Sequence, residues 1–248
     1  MCPGAPFLID GTADAIAIRQ QPVALACAEA VSRLPRADLT LLITGSSHAR
    51  AGGPGWRWLP PGTRIATAPL RRSDLHERDA LQLAGGGAPG SPEPISDPGV
   101  GTMVGAYLLE RSRPATLVTE TLAVEIAGEP AAAAGAIASR VSSAQRIAIL
   151  VIADGSACHG DAAPGRPDDR AGPFDAALGR ALGSGDPAAL QAATADRELA
   201  RELMATVDPL AVLAGLTLSC APQGAELLYS AAPLGVGYLV ASWSWAPS

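Results

Sequence analysis

The sequence predicts an α/β fold: a single-domain sandwich with a mixed, mainly parallel central sheet, flanking helices and a C-terminal β-hairpin. Three observations carry this. Short β-branched runs alternate with segments of helical apolar period. The run "IAILVI" at 147–152 has no polar residue, as a strand covered on both faces requires. Two β-like segments, "AELLYSA" and "GYLVASWSW", close the chain around "APLGV", the pattern of an antiparallel hairpin.

Taken in order, residues 5–9, within "APFLID", read as a first strand, and an apolar-periodic helix follows near 13–33, stopped before Pro35. A second strand spans 38–44. Residues 45–62 and 84–99 are crowded with Gly, Pro and Ser and read as long loops, with "TRIATAPL" between them as a short strand. The spacing over 100–112 predicts a helix feeding a strand at 115–122. Another helix at 131–143 leads into 146–153, expected to be the central strand. After a Pro/Asp-rich loop at 160–173 come helices at 173–183, from "GDPAAL" onward, near 195–206 and at 208–215. In "GDPAAL", Asp186 is placed to cap and Pro187 to take the first helical position. No internal repeat divides residues 1–248, so one domain is expected.

The chain has 248 residues, enough to bury a full core, with 48% hydrophobic and only 4% aromatic residues. Its core is therefore built from Ala, Val and Leu. The 18 basic residues are all arginine against 24 acidic ones, a formal charge of -6. An acidic chain without a basic cluster has no electrostatic footprint for phosphate backbones, which argues against nucleic acid as a partner. No stretch reaches the roughly 18 apolar residues of a membrane helix, so no membrane partner is expected. The four cysteines, Cys2, Cys27, Cys158 and Cys220, form no C-x-x-C motif and read as reduced thiols of a cytoplasmic protein.

Ligands of open α/β sheets gather at the carboxyl ends of strands, and two polar clusters fall there. Ser47 and His48 follow the 38–44 strand in "TGSSHA". Asp154, Ser156, Cys158 and His159 crowd the turn after 146–153 in "DGSACHG". A solvated loop histidine explains His48, and an Asx or Ser-capped loop entry explains Asp154 and Ser156. Glu226 opens an otherwise apolar strand. With His48 it would supply an imidazole and a carboxylate, two members of the His/His/carboxylate face that holds non-haem iron(II).

Four blocks, "CPGAPFLIDG", "TGSSHA", "ILVIADGSACHGDAAPGRPDDRAGPFDAALGRAL" and "GAELLYSAAPLGVGYLVASW", span nearly the whole chain. In these it resembles the LigB-type class III extradiol ring-cleavage dioxygenases, in particular a small alanine-rich actinobacterial branch. The resemblance implies iron(II) held by a histidine after the first strand, a second histidine after the next and a late glutamate, with a further histidine near the middle strand moving protons. Carried over by position, His48 matches the second metal histidine and Glu226 the carboxylate. Gly4 stands where the first histidine belongs. The acid/base histidine falls at Ala157, leaving His159 two residues on as a displaced acid/base. Gly4, Ser47, Asp154 and Ser156 are expected to line the pocket, with Cys2, Asp10 or water as a third ligand. The reading is a LigB-like protein with reduced or lost oxygenase activity and a retained small-molecule pocket. The alternative is an active iron(II) dioxygenase, or another metal-dependent enzyme, acting on a small aromatic substrate. Weakly bound Fe(II) or another divalent metal, and no cofactor at all, both stay open, as do a small aromatic ligand and a homo-oligomer.

Overall fold

The computed structural model describes residues 1–5, 8, 14–46, 55–59, 64–66, 80–82, 98–112, 120–142, 144 and 146–246. Its largest sheet is four-stranded, in the order β2 (Trp56–Trp58), β5 (Glu120–Ile126), β1 (Leu39–Gly45), β6 (Ile147–Ile152). β1 pairs in parallel with β5 and with β6, and β2 runs antiparallel to β5. The expected neighbours 38–44 and 146–153 are thus directly paired, but β1 rather than β6 holds the central place. Short strands β3 (Arg64–Ala66) and β4 (Ala80–Gln82) form a separate ribbon, and β7 (Gly224–Ala231) and β8 (Tyr238–Ser244) form the expected hairpin.

Because side chains alternate across a strand, β1 feeds two cores. Leu39, Leu41 and Ile43 join a layer with α3 (Pro130–Val141), α4 (Ala171–Ser184), α5 (Pro187–Ala193) and α7 (Asp208–Thr217). Leu42 joins the opposite layer with α1 (Asp14–Ser32) and α2 (Val100–Ser112). Burying each of these leucines and isoleucines contributes roughly 1.5–3 kcal/mol. In α1, Val23, Ala26, Cys27, Ala30 and Val31 are buried at helical spacing while Leu25 is exposed, so one stripe packs against α2 and the β7–β8 hairpin. Asp186 caps α5 as its sequence suggests, its side chain accepting from Ala188 N at 2.9 Å, with Pro187 at the first position. Asp196 does the same for α6 (Arg197–Glu202), accepting from Leu199 N. That helix is shorter than the 195–206 expected; Met204 follows at φ 55, in the left-handed region.

Beside β6 the described N-terminal residues pair at 1–2, ahead of the strand expected at 5–9: Cys2 N donates to Val151 O at 2.9 Å and Ala153 N to Cys2 O at 3.1 Å. Leu8 N instead turns back to Ala5 O, and 6, 7, 9 and 10 lie outside the described residues. Met1 exchanges hydrogen bonds with Ala241 of β8, so residues 1–2 splice the hairpin onto β6. Of the strand expected at 115–122, residues 120–122 fall in β5, and 113–119 lie outside the described residues. "WRW" at 56–58 is a strand where a loop is expected. Among the described residues no helix is long and apolar enough to cross a membrane.

Candidate functional site at the strand ends

The parallel strands β1, β5 and β6 stop at one edge, where Gly45, Ile126 and Ile152 open onto a cavity of about 480 Å³. The segment carrying Gly4 runs beside β6 and reaches the same edge. The first turn of α2 and the stretch from α6 to α7 close the other sides.

The position of α2 is set by a buried carboxylate. Glu125, fully buried near the end of β5, accepts from Gly99 N at 2.8 Å and from Thr102 Oγ1 at 2.7 Å. Arg57 of β2 completes the arrangement, its Nε donating to Glu125 Oε2 at 2.6 Å. Thr102 spends its proton on Glu125, so Thr44 Oγ1 donates to Thr102 across 2.8 Å. One charged side chain thereby joins the ends of β1, β2 and β5 to the start of α2, and the guanidinium offsets the cost of burying it.

On the cavity floor Asp154 Oδ1 accepts from Gly4 N at 2.9 Å, while the Asp154 carbonyl accepts from Thr206 N at 3.0 Å. Burial pushes this carboxyl up to about 6, the Gly4 hydrogen bond offsetting only part of the desolvation. Gly4 has little room to be anything else. A Cβ there would lie 2.9 Å from Asp154 Oδ2 and 3.2 Å from Ile152 Cγ2. Facing the floor, Arg197 holds Asp208 through two bonds of 2.9 and 2.8 Å, and Arg201 stands exposed at the rim.

The expected site residues separate into three groups. Gly4 and Asp154 line the cavity together. Ser47 and His48 lie outside the described residues, as does Asp10, although the preceding Ser46 lines the cavity. Ser156, His159 and Glu226 are elsewhere. Ser156 is a buried loop cap, its Oγ donating to Leu203 O and accepting from Cys158 N. His159 Nε2 donates to Asp175 Oδ2 at 2.7 Å, while Asp175 Oδ1 accepts from Ser156 N at 2.8 Å. Burial pushes the Asp175 carboxyl up, opposed by these two donors. The dyad secures the turn to the hairpin loop, where Gly155 N bonds Gly237 O and His159 N bonds Gly235 O.

Glu226 is exposed and paired with Arg33 at 2.6 Å. It lies opposite Ser242, five residues along β8 from Gly237, the residue that meets the 155–156 turn. At about 3.3 Å per residue this places it roughly 16 Å from that turn, toward the starting ends of the parallel strands. Cys2 is wholly buried, its backbone bound to β6 and its Sγ directed at Cys27 O.

Of the residues that the resemblance implies for the iron face, Glu226 stands apart from Gly4 and Asp154, and His48 lies outside the described residues. Among the described residues no three His, Cys, Asp or Glu side chains are grouped to hold a metal ion. Among the described residues the carboxylates that line the cavity are Asp154, bound to Gly4 N, and Asp208, committed to Arg197. Sequence reasoning does not reach Arg197, Arg201, Thr206 or Glu125; the charged "DRELARE" run inside an apolar stretch is the signal that points to the two arginines. No protein-family profile matches the chain, and no curated protein matches it significantly.

Proposed function

We propose that the chain is a LigB-like protein whose strand-end cavity binds a small molecule without the ring-cleaving iron centre. The observation that carries this reading is the cavity's lining. Asp154 offers an acceptor on the floor, Arg201 a cation at the rim, and Val100, Ile126, Ile152 and Val207 apolar wall between them. Such a site suits a compact ligand that is apolar in the middle, with a donor at one end and an acidic group at the other. A small aromatic acid has that form. The loss of oxygenase chemistry is supported by Gly4 at the first metal position and by Glu226 being engaged with Arg33 far from Asp154.

The test is calorimetric titration with small aromatic acids, their neutral analogues and aliphatic acids of similar size. The reading expects saturable binding of the acids that weakens roughly tenfold or more in Arg201→Ala, the loss of a charge-assisted contact. Equal binding of acids and neutral analogues, unchanged by that substitution, would refute it.

A further inference from the structure

At the opposite end of the sheet is a second, larger cavity of about 800 Å³, lying between the edges of β6 and β8. Its origin is a break in the sheet. Residues 1–2 bond to β6 on one side and to β8 on the other, through Cys2 with Val151 and Ala153, and Met1 with Ala241. The two edges are therefore two strand spacings apart, roughly 10 Å. Beyond Met1 none of the described residues bridges them.

Both edges continue past that point with groups turned into the gap. Val151 O and Ala153 N face Cys2, so by alternation the backbone groups of Ile149 and Ile147, and Val151 N, face the slot. Among the described residues β6 pairs only with β1 and Cys2, and β8 only with β7 and Met1. Ala241 faces Met1, so the backbone of Trp243 also faces the slot. Leu34 covers it from the α1 side and Leu213 from the α7 side. A void one strand wide, edged by donors and acceptors and walled by leucines, matches an extended apolar segment.

We propose that this slot seats a β-strand formed by polypeptide leading directly into Met1, parallel to β6 and antiparallel to β8. The line of residues 1–4 runs straight into the slot, so a strand joined to the Met1 nitrogen enters without a loop. A separate peptide would have to lodge a chain end against Met1 and give up its translational freedom. From Ile147 to Val151 the edge measures about 13 Å, room for four or five residues, β-branched and apolar to meet both helical walls. The same strand would continue to Gly4 and Asp154, so filling the slot also steadies the floor of the strand-end cavity.

The experiment compares protein starting at Met1 with protein carrying Thr-Val-Ile-Val-Ala or Gly-Ser-Gly-Ser-Gly ahead of it. Amide hydrogen exchange at Ile149, Val151 and Trp243 is the primary readout, and acrylamide quenching of tryptophan emission checks the slot in samples of any stability. The apolar extension is expected to slow exchange at those amides by about tenfold or more and to reduce quenching, with the Gly-Ser extension having little effect. Unchanged exchange and quenching with the apolar extension would overturn the proposal. Equal protection from the free Thr-Val-Ile-Val-Ala peptide, added to protein starting at Met1, would overturn the assignment of the strand to the same chain.

Discussion

Replacing Asp154 with asparagine removes a charge that the fold holds against its preference. The folded carboxyl sits at about 6 against an ordinary value of 3.8, because burial outweighs the Gly4 hydrogen bond. Below pH 3.8 the group is neutral in both states and contributes nothing to pH dependence. Between 3.8 and about 6 the unfolded chain has released the proton and the folded chain has kept it, so stability falls as pH rises. Each pKa unit corresponds to about 1.4 kcal/mol, so the penalty above pH 6 levels off near 3 kcal/mol, an upper figure because one side of Asp154 opens to the cavity. The asparagine would keep an oxygen for Gly4 N and lose the charge. Urea unfolding at several pH values should show the Asp154→Asn variant more stable than the parent by about 2–3 kcal/mol at pH 7.5, converging with it near pH 4. Curves that run parallel across pH, or a variant less stable at neutral pH, would show that Asp154 is not held in the folded state as described.

Glu125→Gln should destabilise by about 3–5 kcal/mol, because Arg57 and the start of α2 lose a buried charged partner; thermal unfolding measures it. Asp175→Ala leaves Ser156 N and His159 without their acceptor and should cost about 1–3 kcal/mol in urea unfolding, with faster amide exchange at Gly155 and Gly237. Glu226→Gln touches only an exposed ion pair, so aromatic-acid affinity measured by calorimetry should not change.

Part of this fold is legible in the sequence for a physical reason. The runs at 38–44 and 146–153 carry apolar residues on both faces, as doubly covered strands do, and Asp186-Pro187 is a local cap that needs no tertiary context. The ladder at Met1 and Cys2 has no signal of its own, because two residues show no period, and of "PFLID" only Leu8 is described. "WRW" is hidden because three residues between glycines and prolines have no period. Glu226 looks like a neighbour of the 154–159 turn because the sequence shows a carboxylate opening a strand but not the end of the sheet that strand starts from. The hairpin register, Glu226 opposite Ser242, decides that. Asp154 is visible as a polar residue after a buried strand, whereas its pairing with Gly4 joins positions 150 residues apart.

The proposal is that the chain keeps a strand-end pocket and not an iron face. Anaerobic titration of the purified protein with iron(II), followed by oxygen-uptake measurements with simple catechols, tests it most directly. No tight stoichiometric iron and no oxygen consumption above the iron-only background are expected, in the parent and equally in Glu226→Gln. One tightly held iron per chain, with catechol-dependent oxygen uptake abolished by both His48→Ala and Glu226→Gln, would contradict it.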